Sequence, residues 1–322
     1  MAAKVDLTNP IFTDLEAARA HFEAIRWPND PYCPFCGVFD RVAALGGKSM
    51  GPGWYHCKDC RKKFTAAVGT IYERSHIPMT KWLLATHLMC ESKKGMSAQQ
   101  LHRMLGLPYK TAWFMAHRIR ESMRELAPAT PLGGTGKTVE ADETYIGGKE
   151  RYKHKKVRNK GNIGGTGKQI VFSLVERGGK VRSHHIADVT GSNLLSILAK
   201  NVSKDTSLMT DGAGQYRHMG EYFARHEAVD HGHDEYVRGD AHTNTAEGFF
   251  SVLKRGITGV YHNVSEQHLV RYLAEFDHRY NHRAKLGFSD VERADIALKG
   301  IKGKRLTYRR IGGEARSEKP AQ

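Results

Sequence analysis

The stretch Thr138-Val-Glu-Ala-Asp-Glu-Thr-Tyr-Ile146 decides the fold class. Its β-branched and aromatic residues mark a strand, and Asp142 falls near the middle of it. Two more strand-like runs follow, Gln169–Val175 (QIVFSLV) and Val181–Ile186, with Arg177-Gly-Gly-Lys180 between them as a hairpin signal. Beyond lie a helix at Ser192–Val202, a short strand at Ser207–Thr210 running into Asp211-Gly212, and a weak fifth strand at Tyr236-Val237. Thr243–Arg255 and Glu266–Tyr280 have helical spacing. Three strands, a helix and further strands and helices predict an α/β domain. Before it, Pro128-Ala-Thr-Pro-Leu-Gly-Gly-Thr-Gly136 is the clearest linker in the chain.

Upstream of that linker the cysteines are the strongest signal. Cys33-Pro-Phe-Cys36 and Cys57-Lys-Asp-Cys60 are two C-x2-C pairs with 20 residues between them. This is the spacing of a four-thiolate Zn²⁺ site, in which each pair forms a knuckle presenting two sulfurs to one structural metal. Two short hairpins clamped by zinc are expected from about Tyr32 to Thr70, preceded by a helix over Asp14–Trp27. Whether this ribbon touches DNA or protein is left open by its residues. Cys90 reads as an ordinary buried thiol.

Helices are expected next at Thr80–Cys90, Ser97–Leu105 and Tyr109–Leu126, with Gly106-Leu-Pro108 as a tight turn between the last two. A short helix, a Gly turn and a longer basic helix form a helix-turn-helix pattern. Lys110, Arg118, Arg120 and Arg124 make up its candidate DNA-facing side. An ordinary three-helix bundle with a solvated basic face is the competing reading.

The chain has 322 residues, 50 Lys plus Arg against 34 Asp plus Glu, and a formal charge of +16. A 40% hydrophobic content excludes a wholly disordered chain. The most apolar run, Trp82–Cys90, is interrupted by Thr86 and His87 and is too short to span a membrane. The opening MAAKVDLTNP lacks the apolar core of a signal peptide, so a cytoplasmic location is expected. The positive charge points to a polyanion, nucleic acid first. Lys149–Lys168 carries eight Lys or Arg against one acid. It reads as a basic loop, with Lys155, Lys156 and Arg158 as candidate backbone contacts. The His231-Gly-His233-Asp234 cluster reads as solvated or phosphate-facing rather than as a second metal site, and His184-His185 as structural.

Three acids stand out: Asp142 in its strand, Asp211 ending another, and Glu247 in the first turns of a helix. Each has an ordinary explanation. Asp211-Gly212 is a turn dipeptide, Asn244-Thr-Ala-Glu247 fits a capping box, and Asp142 is flanked by Glu140 and Glu143. Lys254 lies seven residues beyond Glu247, on the same helix face.

The segment His242–His262, HTNTAEGFFSVLKRGITGVYH, resembles the last-acid signature of DDE transposases from bacterial insertion sequences. VEADETYIGGKE and TDGAGQYR are similar to that family's first- and second-acid motifs, and RYLAEFDHRYNHR (Arg271–Arg283) resembles its closing helix. The resemblance, to the group with an N-terminal zinc ribbon and an ISXO-type catalytic domain, runs from Phe22 to about Ala297. It implies an RNase H-like mixed sheet with helices, preceded by a zinc ribbon and a helix-turn-helix-like domain. It also implies an acidic triad of Asp142, Asp211 and Glu247 binding two Mg²⁺, or Mn²⁺ in their place. Lys254 and Arg255 would then contact DNA phosphates, and Asn244 would position a metal-bound water or a phosphate.

The expected organisation is a helical segment (1–31), zinc ribbon (32–70), helix-turn-helix-like domain (71–127), linker (128–137), catalytic domain (138–298) and basic tail (299–322). The expected function is a transposase that binds terminal inverted repeats, then cleaves and joins DNA strands. A homodimer or larger assembly on double-stranded DNA would hold two element ends in a nucleoid-associated complex. The alternatives are an RNase H-like structure-specific nuclease and a non-catalytic zinc-ribbon/helix-turn-helix regulator.

Overall fold

The computed structural model describes residues 7–47, 50–126, 130–148, 167–229, 235 and 237–307. Lys155, Lys156, Arg158, His231, His233, Asp234 and Tyr236 lie outside the described residues.

The first body begins with α1 (Leu15–Arg26), capped by Asp14, whose Oδ1 accepts from the Ala17 amide at 2.7 Å. A three-stranded antiparallel sheet follows: β1 (Val42–Leu45), β2 (Trp54–Cys57) and β3 (Lys63–Thr65). It is one meander rather than two separate hairpins. Helices α2 (Met79–Glu91), α3 (Ala98–Leu105) and α4 (Tyr109–Met123) complete this body. Ser97 and Gln100 form a full capping box at the start of α3, and Gly106 ends it in the left-handed conformation (φ 60°).

The second body is a five-stranded sheet in the order β6-β5-β4-β7-β8. The hairpins of β4 (Thr138–Ile146), β5 (Gln169–Glu176) and β6 (Val181–Ile186) are antiparallel. β7 (Ser207–Asp211) and β8 (Arg225–Val229) join in parallel. The sheet is therefore mixed. The fifth strand lies at Arg225–Val229, and Val237 is in no strand. The sequence Arg-His-Glu-Ala-Val is too polar to announce itself. It forms a strand because β7 offers it a parallel edge.

Side chains alternate across β4 and so serve two cores. Val139 and Ala141 pack with Phe172, Leu174 and the apolar stripe Leu194/Leu198 of α5 (Gly191–Asn201). On the other face, Ile146, Val171 and Val175 pack under α6 (Asn244–Gly256) and α7 (Glu266–Asn281). A last helix, α8 (Asp290–Lys299), has no counterpart among the helices expected from the sequence. Ala294, Ala297 and Leu298 of α8 are buried with the first body's core, so the chain returns to where it started.

The edge of the sheet is sealed by side chains. Asn281 of α7 accepts from the Val181 amide at 2.7 Å and donates to the Val181 carbonyl at 2.9 Å. One turn earlier, Asp277 accepts from the Ser183 amide (2.8 Å) and hydroxyl (2.7 Å). These outward-facing groups of β6 are thereby occupied, which opposes edge-to-edge association.

No helix among the described residues is long and apolar enough to cross a membrane.

Candidate active site and metal centre

The four cysteine sulfurs lie within 4.8 Å of one another. Cys33 and Cys60 Sγ are 3.5 Å apart, and Cys36 and Cys57 Sγ 3.6 Å. A disulfide would need about 2.05 Å. Four sulfurs around a tetrahedral Zn²⁺ at about 2.3 Å sit roughly 3.8 Å apart, so the donor set fits zinc and not two disulfides. Amides of Cys60 and Asp59 pull the Cys57 thiol down to about 7, whereas burial pushes Cys33 up to about 12, so the fit to zinc rests on the sulfur geometry. The knuckles close onto Trp27, Tyr55 and Phe64, a cluster of edge-to-face and stacked rings.

The acidic site is built where the parallel strands β4 and β7 part. The last paired residues of the β4–β7 ladder are Glu140 and Met209. Asp142 and Asp211 each lie two residues further on, where the parallel strands part. In open α/β sheets this region beyond the carboxyl end of a strand is where ligands bind. Glu247 arrives from α6, whose start is fixed by β4 itself. Glu140, fully buried, accepts from the amides of Thr245 (2.7 Å) and Ala246 (2.9 Å) and from the Thr245 hydroxyl (2.8 Å). The side chain of α6's own N-cap residue, Thr243, does not cap the helix. A carboxylate at a helix N-terminus is favoured by the exposed amides and by the helix dipole. Arg177 completes the anchor, pairing with Glu140 at 2.6 Å and reaching the carbonyls of Asp240 and His242. The capping role that the sequence suggested for Glu247 thus falls to Glu140, and Glu247 stays exposed on the helix surface.

A fourth carboxylate joins the three. Glu143, on the opposite face of β4 from Asp142, takes the Tyr216 hydroxyl at 2.5 Å and the Gln215 amide at 2.9 Å. Tyr216 is buried in the α5-side core. This clamp ties the segment just after Asp211 to the residue just after Asp142. Asp211 accepts from the Ala213 amide at 3.2 Å, which holds its turn.

Electrostatically the site is one-sided. Burial, then the charge of Glu143, and then those of Asp211 and Glu247 push the Asp142 carboxyl up to about 7. Burial also raises Glu143 against the pull of Tyr216. Asp142, Glu143 and Glu247 form no ion pair with Lys or Arg among the described residues. Hard oxygen donors that repel one another in this way suit Mg²⁺ or Mn²⁺. Their oxygens are looser than the cysteine cluster, which alone among the described residues meets the 4.8 Å grouping.

Along α6, Asn244, Glu247, Ser251, Lys254 and Arg255 are exposed and line one side at helical spacing. Arg255 folds back on Ser251, donating to its carbonyl and hydroxyl at 3.0 Å each.

The basic face expected on α4 is not there. Arg120 is 1% exposed and Arg118 7%. Arg120 donates to Glu275 at 2.6 Å and stacks on Tyr272 at 4.1 Å. Arg118 donates to the Glu73 carbonyl and lies over Trp82. Burial drives His117 down to about 2, so it adds no charge. α4 is enclosed by α2, α3, α7 and α8, and its ends, with Lys110 and Arg124, reach solvent. The helical spacing was right, but Arg120 pairs with an element 155 positions away, which no local pattern reveals.

Residues 14–63 match the transposase zinc-ribbon domain and residues 131–281 the ISXO2-like transposase domain. Over 286 residues the chain is 33% identical to an uncharacterized protein in transposable element ISH50 of Halobacterium salinarum, covering 84% of this chain and 92% of that one. The ribbon, the mixed sheet and these matches together place the chain in the ISXO2-like transposase family.

Proposed function

We propose that the chain is an insertion-sequence transposase whose Asp142, Asp211 and Glu247 form the acidic triad of an RNase H-like core. The observation that carries this reading is their convergence from three distant elements where β4 and β7 part, with Asp211 and Glu247 both close enough to add to the burial and the Glu143 charge that raise the Asp142 carboxyl. Residues 138–298 then carry catalysis, except that α8 is packed with the first body. The ribbon (32–70), the helical region (71–127) and the segment before them would serve DNA recognition, with the exposed turn between α3 and α4 as the helix-turn-helix surface left to make contact.

In this reading Asp142, Asp211 and Glu247 would hold Mg²⁺, which when bound would supply activation of the attacking hydroxyl and stabilisation of the leaving oxygen. The protein supplies rigid placement: Glu140 fixes the register of α6 and hence Glu247, and the Glu143–Tyr216 clamp fixes the Asp142–Asp211 separation. Lys254 lies two turns beyond Glu247 as a point charge for a phosphate near the scissile bond. Asn244, one turn before Glu247, faces the same ligand. Two element ends require at least a homodimer on DNA, to be tested by sedimentation with and without end DNA.

The deciding experiment offers purified protein a pre-cut terminal-repeat end and a target duplex with Mg²⁺. Joined product supports the transposase. Hydrolysis without joining would favour a nuclease of the same fold.

A further inference from the structure

The loop between α2 and α3 carries Lys93 and Lys94, both exposed. With Val252 and Arg255 of α6 these two lysines line a notch of about 270 Å³. The notch joins residues of the two bodies, and its geometry is set by close packing. A Cβ at Gly95 (φ +100°) would lie 1.8 Å from the Tyr261 hydroxyl. A Cβ at Gly256 would lie 2.6 Å from the Lys94 carbonyl. The Tyr261 hydroxyl is itself fixed on buried Glu275 at 2.6 Å. Ser92 donates to the Gly95 carbonyl at 2.7 Å and closes the turn. The two lysines are therefore held against the end of α6.

Lys93, Lys94, Lys254 and Arg255 have no carboxylate partner among the described residues. Three cations lining one notch without counter-charge, with Lys254 next to Arg255 along the helix, favour an external polyanion. Seven residues of helix separate Glu247 from Lys254, about 10 Å. At 3.4 Å of rise per nucleotide in one strand, that distance is about three nucleotides.

We propose that Lys93 and Lys94, with Arg255 and Lys254, hold the sugar-phosphate backbone about three nucleotides from the phosphodiester lying at the acidic site. This proposal rests on the assignment of Asp142, Asp211 and Glu247 as the cutting site. It makes the loop of the first body part of the substrate channel of the second.

The test is equilibrium binding of full-length protein to a duplex ending in the terminal repeat, across salt concentrations and without divalent metal. The Lys93→Ala/Lys94→Ala double variant should lower the slope of log K against log salt by about 2, from about 0.9 per lost phosphate contact. Lys93→Arg/Lys94→Arg should restore it. Single methylphosphonates about three nucleotides from the cut should weaken wild type and leave the Ala variant indifferent. An unchanged slope overturns the proposal. A reduced slope with interference mapping elsewhere on the duplex overturns the placement. Because no cleavage is measured, a failed triad assignment shows up separately, as cleavage that survives Asp142→Asn.

Discussion

Two clusters of charge stand in opposite electrostatic states. At the junction of α4 and α7, Glu275 is fully buried between Arg120 and Arg279 and also takes the Tyr261 hydroxyl. Burial alone would raise its carboxyl, but Arg279 and Arg120 hold it below the usual range. Where β4 and β7 part, Asp142 has burial and three carboxylates against it and sits up at about 7. Glu140 shows how local the difference is. Two residues before Asp142 on the same strand face, it has Arg177 and a helix N-terminus to itself. Charges that the fold needs are neutralised by the fold. A carboxylate held up by burial and by its acidic neighbours points to a ligand of opposite sign.

The contrast can be broken by removing one acid from each side. Glu275→Ala leaves two buried arginines unpaired and should cost about 3–5 kcal/mol of stability. A denaturant midpoint equal to wild type would show that the junction does not depend on the pair. Asp142→Asn should do the reverse. In metal-free protein it relieves repulsion and should raise stability by about 0.5–2 kcal/mol, the usual trade between activity and stability at functional sites. A loss of stability would make Asp142 a structural residue.

Asp277 sharpens the comparison, because it is held by the neutral donors of Ser183. Burial lifts it to about 7, against the pull of those bonds. Its folded value lies above its unfolded one, so its charged form costs stability. That cost is absent below about pH 4, the ordinary value of an unfolded Asp, grows as pH rises to about 7, and is constant above. Asp277 borders a cleft of about 670 Å³, whose solvent reduces the effect to about 1–2 kcal/mol. The melting temperature of wild type relative to Asp277→Asn should fall across that window. A constant difference would contradict the assignment.

The smallest effect is expected at the clamp. Tyr216→Phe removes one hydrogen bond to Glu143, about 1 kcal/mol. It should lower cleavage about fivefold to tenfold, with higher Mg²⁺ restoring part of the loss. Full activity at every Mg²⁺ concentration would remove the clamp from the account.

Much of this was legible in the sequence. The antiparallel hairpins announce themselves through strand-like apolar runs and the Gly178-Gly179 turn, and the four-cysteine ribbon through spacing alone. Asp142, Asp211 and Glu247 could be named from the motifs around them, two on strands and one at the start of a helix. What escaped depends on distant partners. β8 is polar and is a strand only because β7 pairs with it. α8 is short, and it is held by packing on α1 and α2. Arg118 and Arg120 have the spacing of a basic face, yet the fold covers it. Glu140 and Glu143 looked like a generally acidic strand. One caps a helix 105 residues later and the other holds a tyrosine 73 residues later.

The central claim is that Asp142, Asp211 and Glu247 do the chemistry, while Glu140 and Glu275 hold the fold. Cleavage of terminal-repeat DNA in Mg²⁺ by Asp142→Asn, Asp211→Asn and Glu247→Gln tests it most directly, with DNA binding measured alongside. Each variant should bind the DNA and lose cleavage by about 10³-fold or more, as expected when several kcal/mol of transition-state stabilisation disappear. Cleavage within a few-fold of wild type by any one of them would contradict the account at that residue.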